Sequence, residues 1–108
     1  MNVYDEAHSL ARAIKESNEF LEFDKVRNEV EEDKEVSEMI ADMQKLQIEL
    51  QTAQISGQQP PEDLISRVQS LSTMLATKPL AARFMQAEAA FSVMMNDVFQ
   101  IIGEAMGV

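Results

Sequence analysis

The sequence has no cysteine and no tryptophan, and it has only three glycines and three prolines among its 108 residues. Without cysteine the chain can form no disulfide, no thiolate nucleophile and no cysteine-ligated metal or iron–sulfur site. So few turn-forming residues leave little room for the many turns of a strand-rich fold, and the composition therefore favours long helices. Because aromatic residues make up only 6% of the chain, its core must consist mainly of Leu, Ile, Val and Met.

Positive charge is also scarce. Nine basic residues stand against nineteen acidic ones, which gives a net charge of −10. A chain of this charge repels phosphate backbones at long range, and its basic residues form no cluster in the sequence. We therefore expect no direct binding to nucleic acid, although a factor that binds RNA directly is retained as an alternative.

Long uncharged apolar runs are missing as well. The first residues, MNVYDEAHSLARAI, have an acid before any base and no apolar core, so they do not predict a signal peptide. The most apolar stretch, FSVMMNDVFQIIGEAM, is interrupted by Asn96, Asp97, Gln100 and Glu104. A membrane-spanning helix needs about 18 or more uninterrupted apolar residues, so we predict no membrane span and a cytoplasmic protein.

The residues that are present indicate one helical domain over residues 1–108. Asn2, Ser17 and Asp33 are the side chains that can cap the first three helices at their N-termini. Gly57 supplies a C-terminal stop for the third helix, and prolines delimit the last two. The pattern predicts an all-α fold of about five helices, at residues 3–16, 18–30, 34–56, 61–77 and 79–103.

The third and fourth predicted helices carry the clearest apolar repeat. Their apolar residues are spaced by three or four positions, as in a coiled-coil seam. The seam consists of Val36, Met39, Met43, Leu46, Leu50 and Ala53 in the third helix and of Leu64, Val68, Leu71 and Leu75 in the fourth. Because a short proline-rich loop joins the two, they predict a long antiparallel helical hairpin.

The last predicted helix is long and carries two apolar stripes, of which the second is interrupted by Glu88 and Ser92. Together the stripes cover about half of the helix circumference, more than the roughly 100° that a surface helix normally buries. We therefore expect one side to pack on the chain's own helices and the other on a second copy, in a homodimer. An ordinary core helix in a monomer is the competing interpretation. The predicted protein interface consists of Phe84, Phe91, Met94, Met95, Val98, Phe99 and Ile102.

No combination of residues predicts catalysis, a metal or a cofactor. The acidic run at residues 29–38 lacks the spacing and the glycine of a calcium-binding EF-hand loop. His8, three positions after Asp5, has the spacing found in helical di-metal carboxylate sites, but such sites need several further ligands. A helical metal–carboxylate enzyme is therefore only an alternative, and we expect no enzymatic activity. Two interpretations of Glu88 stay open. It is either a residue at the rim of the helix packing, which reaches water or pairs with Arg83 or another base, or a residue whose carboxylate is hydrogen-bonded within that packing.

Three segments of the chain, taken together, carry a family pattern. They are YDEAHSLARAIKESNEF, DKEVSEMIADMQKLQIELQTAQISGQ and FMQAEAAFSVMMNDVFQIIGEAM. The order and spacing of Tyr4 with Ala7, Ser17, Asp33, Gly57, Phe84 with Ala87 and Glu88, and Ile102 with Gly103 resemble the YlbF/YmcA/YheA family of small helical proteins from Gram-positive bacteria. The resemblance spans nearly the whole chain.

The resemblance implies an all-helical cytoplasmic protein that associates with itself or with related proteins. It also implies the accessory role that some members have in competence, sporulation, biofilm control and ribonuclease Y-dependent mRNA processing. Some regulatory members carry a cysteine-bearing C-terminal extension and are associated with iron–sulfur clusters. Because this chain has no cysteine, the resemblance does not imply iron–sulfur ligation. The chain can equally resemble the family members that have no assigned role. The expected function is that of a non-catalytic helical interaction protein or regulatory adaptor.

Overall fold

A computed structural model of the chain describes residues 2–107. Across these residues the chain forms five α-helices and no strand, which confirms the predicted all-α class. The helices are α1 (Val3–Glu16), α2 (Asn18–Glu32), α3 (Lys34–Ile55), α4 (Glu62–Ala76) and α5 (Pro79–Ala105).

Side-chain caps begin α1 and α3 where the sequence predicts them. The backbone N–H of Tyr4 donates to Asn2 Oδ1 at 2.8 Å, and the backbone of Asn2 itself is extended rather than helical. The backbone N–H of Val36 donates in the same way to Asp33 Oδ1 at 3.1 Å. Each cap satisfies a donor that the helix itself leaves without a partner, which stabilises a helix by about 1 kcal/mol.

The break between α1 and α2 is made by Ser17. Its Oγ donates to the carbonyl of Ile14 at 2.6 Å and accepts from the backbone N–H of Phe20 at 3.2 Å. One hydroxyl thus closes the first helix and caps the second, and the extended backbone of Ser17 turns the chain between them. This confirms Ser17 as the predicted cap of α2.

α3 ends in a left-handed glycine. Gly57 has a φ of +74°, a conformation that costs a residue with a Cβ more than it costs glycine. Its N–H donates to the carbonyl of Gln54 at 3.2 Å, while the N–H of Gln58 donates to the carbonyl of Ala53 at 3.0 Å. This pair of bonds is the Schellman motif, and it confirms Gly57 as the predicted stop.

The end of α5 differs from the expectation, since the helix continues past Gly103 to Ala105. Gly103 does not have a positive φ, whereas Gly107 has one of +77°. A glycine ends a helix only when its backbone takes the left-handed conformation, so the stop lies at the later glycine.

The chain divides into two compact units. The hairpin unit is Glu29–Arg83 and contains α3 and α4, whereas the terminal unit consists of the residues up to Asn28 together with those from Phe84 onward and contains α1. Both units include residues of α2 and of α5. The single domain over residues 1–108 stays a prediction.

In the hairpin unit, α3 and α4 pack against each other in antiparallel orientation. Lys78 Nζ, just beyond the end of α4, lies 3.0 Å from the carboxylate of Glu35 in the first turn of α3. The far end of α4 therefore returns to the start of α3, which confirms the predicted hairpin. The buried apolar side chains of this unit are Val30, Val36, Met39, Ile40, Met43, Leu46, Leu64, Leu75 and Ala81.

Candidate protein-interaction surface

Four of the five phenylalanines form an aromatic cluster in the terminal unit. The ring of Phe91 stacks on Phe23 with centroids 5.4 Å apart and planes at 7°, and it lies 5.8 Å from the ring of Phe20. Phe84 lies 5.8 Å from Phe23, and the guanidinium of Arg27 lies over the Phe23 ring at 5.3 Å. Aromatic pairs of this kind contribute about 0.5–1.5 kcal/mol each beyond the area they bury. The cluster therefore attaches α5 to α2 within one chain.

The structure divides the seven predicted interface residues into three groups. Phe84 is buried in the cluster, four residues are half-buried, and two are exposed. The half-buried residues are Phe91, Met94, Met95 and Val98, and the exposed ones are Phe99 and Ile102. The sequence pattern predicts all seven on one surface, because periodicity does not distinguish the side of α5 that the chain itself covers from the side that stays exposed. The interface stays a prediction, and its exposed portion lies toward the C-terminal end of α5.

A further exposed apolar surface lies on α1, where sequence reasoning had not placed an interface. The helix is strongly amphipathic, yet none of its residues is buried. Val3 is 82% exposed, Tyr4 77% and Leu10 37%. Most helices in proteins are stabilised by packing their apolar side on something else, so this side of α1 lacks its cover within the chain. The signal was the three- and four-residue spacing of its apolar residues, but spacing does not distinguish a core from an interface. These residues, which we call the α1 stripe, are Val3, Ala7, Leu10, Ala11 and Ile14.

The second stripe of α5 is exposed as well. We define it by its exposed large apolar residues, Met85, Phe99, Ile102 and Met106. Glu88 lies on this stripe and is exposed, and no ion pair between residues 2 and 107 includes it. This exposure agrees with the rim interpretation of Glu88.

The polar residues offer little for reaction chemistry. Within residues 2–107 no group of three His, Cys, Asp or Glu side chains could hold a metal ion, and His8 is exposed on α1. None of the same residues has a buried polar or charged side chain. Burial is one of the means by which active sites shift the pKa of a catalytic group. In the described part of the chain, no helix has the length and hydropathy to cross a membrane.

The hairpin unit has an open groove of about 430 Å³. Its lining mixes two basic side chains, one carboxylate, two hydroxyls and three apolar residues. They are Asp42, Lys45, Leu46, Ser66, Arg67, Ser70, Leu71 and Met74. No histidine, the side chain that most often activates a hydroxyl for nucleophilic attack, is among the residues that line the groove.

Comparison with known proteins places the chain in a family. A family model described as control of competence regulator ComK, YlbF/YmcA, matches residues 3–107. The chain belongs to this family. Among its YlbF/YmcA relatives, UPF0342 protein STH1710 of Symbiobacterium thermophilum is 35% identical over 106 residues, which cover 98% of this chain and 95% of the relative. A UPF0342 protein of Caldicellulosiruptor saccharolyticus is 32% identical over 105 residues, which cover 97% and 88%.

Two solved structures share the YlbF/YmcA-type fold of this chain. A Bacillus stearothermophilus protein of unknown function (DUF964) is similar with a TM-score of 0.80 and 24% identity, covering 97% of this chain and 92% of that one. A chain of the crystal structure of Bacillus subtilis RicA in complex with RicF is similar with a TM-score of 0.65 and 21% identity, covering 97% of this chain and 93% of that one. At these identities the likeness establishes the fold.

Proposed function

We propose that this protein is a non-catalytic helical interaction protein, a regulatory adaptor that works by binding a second helical chain. The observation that carries the proposal is the exposure of two apolar helix surfaces in the terminal unit, the stripe of α1 and the second stripe of α5.

The energetics favour cover by another chain. Burying one large apolar side chain contributes about 1.5–3 kcal/mol relative to leaving it in water. Phe99 is 61% exposed and Met106 70% exposed, so several such contributions are unrealised in the single chain. Methionine suits a surface of this kind because its flexible, polarizable side chain fills irregular gaps in a partner. We propose that the partner is a second copy of the chain, and that related family members can take its place.

The comparisons support this class of function. The family is described as control of the competence regulator ComK, and a chain of this fold is found in the crystal structure of RicA in complex with RicF. By analogy we propose an accessory role in competence, sporulation, biofilm control or ribonuclease Y-dependent mRNA processing. With a net charge of −10, a role in RNA processing would depend on a protein partner that itself binds the RNA.

Light scattering at tens of micromolar protein tests the proposal. We expect the wild type to be a dimer and Phe99→Glu to shift it toward the monomer, because a charge would have to be buried in the interface. Gln100→Glu is the matched control, since it adds the same charge one residue away at an exposed position off the second stripe. A monomeric wild type, or equal effects of the two substitutions, would overturn the proposal.

A further inference from the structure

We infer that the second stripe of α5 is covered by α1 of a second copy of this chain, in antiparallel orientation, with Glu88 beside Lys15 of that copy. The inference rests on the proposed function, because it names the surface that the second copy contributes. Within one chain the apolar stripe of α1 and the second stripe of α5 are both exposed, so neither covers the other.

Helix geometry places one basic residue at the edge of the α1 stripe. Successive residues of an α-helix are rotated by about 100°, so residues four apart lie nearly above one another. Lys15 follows Ala11 by four positions and therefore borders the stripe. Arg12 lies on the opposite side of α1, where its guanidinium donates to Ser9 Oγ at 3.1 Å. Lys15 is thus the base that a helix packed on α1 would meet.

Charge decides which helix of the second copy suits α5. Glu88 is the charged residue on the second stripe, and α5 has no base from Phe84 onward, so a second copy of α5 offers Glu88 no opposite charge. The bases of the terminal unit all lie on α1 and α2, at Arg12, Lys15, Lys25 and Arg27. Interfaces arrange opposite charges across from one another and disfavour like charges. Because the parts of α1 and α2 in this unit also carry six acids, the match is local: Lys15, at the edge of the α1 stripe, is the base that suits Glu88.

Length and charge also set the orientation. The distance along α1 from Val3 to Lys15 is about 18 Å, and along α5 from Glu88 to Ile102 about 21 Å. An antiparallel arrangement therefore brings Lys15 to Glu88 and, at the other end, Val3 to Ile102. A parallel arrangement would instead bring the acidic first turn of α1, with Glu6 at the edge of the α1 stripe, close to Glu88. Repulsion there disfavours the parallel alternative.

A charge exchange between two variants tests the pairing. Lys15→Glu and Glu88→Lys should each raise the dimer dissociation constant about tenfold, because each creates two like-charge contacts per dimer. An equimolar mixture should return to the wild-type value and form mixed dimers by native mass spectrometry, since opposite charges then face each other at both contacts. Arg12→Glu and Asp97→Lys, which change charges off the two stripes, should leave the dissociation constant unchanged.

The outcomes separate this inference from the proposed function. If the wild type dimerises but Lys15→Glu has no effect, or the mixture does not recover, the pairing is wrong and the adaptor proposal stands. If the wild type is monomeric, the proposed function fails. Circular dichroism of each variant checks that its helices are intact.

Disulfide cross-linking tests the orientation, and the cysteine-free sequence makes it unambiguous. Chains with Val3→Cys, mixed with chains carrying Ile102→Cys, should form a mixed disulfide under mild oxidation, because the antiparallel arrangement brings these ends together. Chains with Met85→Cys are the control and should link far less to Val3→Cys chains. Preferred linkage to Met85→Cys chains would overturn the antiparallel arrangement.

Discussion

The hairpin unit and the terminal unit are almost equal in length, but they bury their apolar residues to very different extents. Among the described residues, nine of the twelve buried apolar side chains belong to the hairpin unit. Ten of the fourteen large apolar side chains that stay exposed belong to the terminal unit. The apolar residues of α3 and α4 form seams that face each other. Those of α1 and α5 also occur on sides of these helices that no other described part of the chain covers. The hairpin unit thus has its own core, whereas the terminal unit leaves most of its large apolar side chains exposed.

The largest expected effect comes from opening the core of the hairpin unit. Leu75 is 1% exposed, so Leu75→Ala should lower the free energy of unfolding by about 2–5 kcal/mol through lost burial and the cavity left behind. Urea denaturation measures the loss. Its neighbour Met74 is 54% exposed, and Met74→Ala should cost far less. Equal costs would show that the two sides of α4 do not differ as described.

The aromatic cluster is the corresponding target in the terminal unit. Phe91→Ala removes the stacking on Phe23 and should lower the free energy of unfolding by about 2 kcal/mol, less than a fully buried phenylalanine because the side chain is half-buried. Phe99→Ala should instead leave the unfolding of the monomer nearly unchanged and weaken the dimer. Unfolding curves at several protein concentrations separate the two effects. A loss of monomer stability in Phe99→Ala would contradict the assignment of this residue to the interface.

Two glycines, one in each unit, should respond in opposite directions to the same substitution. Gly57→Ala should destabilise by about 1 kcal/mol, because alanine is strained at a φ of +74°. Gly103→Ala should stabilise by about 0.5–1 kcal/mol, because the position is helical and no atom would lie within 4 Å of the added Cβ. Thermal unfolding of the two variants gives the sign of each change, and a stabilising Gly57→Ala would rule out the left-handed stop.

The smallest effect is expected at the surface of the hairpin unit. Arg83 donates to the carboxylate of Glu29 at 2.8 Å, and both side chains are more than two-fifths exposed. Solvent screens such a pair, so Arg83→Gln should change the free energy of unfolding by less than about 1 kcal/mol. The change should shrink further in high salt. A larger, salt-insensitive loss in urea denaturation would mean that the arginine acts through packing.

Local signals account for what could be predicted about the hairpin unit. Asp33 and Gly57 bound α3 through hydrogen bonds and backbone conformations that involve only nearby residues. A short connection then forces the two seams to meet, so the pairing of α3 with α4 follows from the order of the residues. Sequence reasoning therefore reached the fold class and the hairpin without tertiary information.

The candidate surface could be predicted only in part. The double stripe of α5 predicts packing on a second copy of the chain, and Phe99 and Ile102 are exposed as such an interface requires. The same pattern predicts Phe84 and Phe91 on this surface, but in the structure both rings pack on Phe23 of their own chain. Nothing in the spacing of α5 indicates which of its stripes meets α2, because both stripes have helical periodicity.

By itself, then, the sequence determined the helices, the caps of the first three, the stop of α3 and the pairing of α3 with α4, since each of these depends on residues close together in the chain. The tertiary structure alone decided which apolar residues are covered: it turned Phe84 inward, left Phe99 outward and left α1 without a buried residue. The physical reason is that periodicity reports the apolar side of a helix, whereas burial depends on which other helix lies against that side. In the terminal unit much of that side is left uncovered by the chain itself.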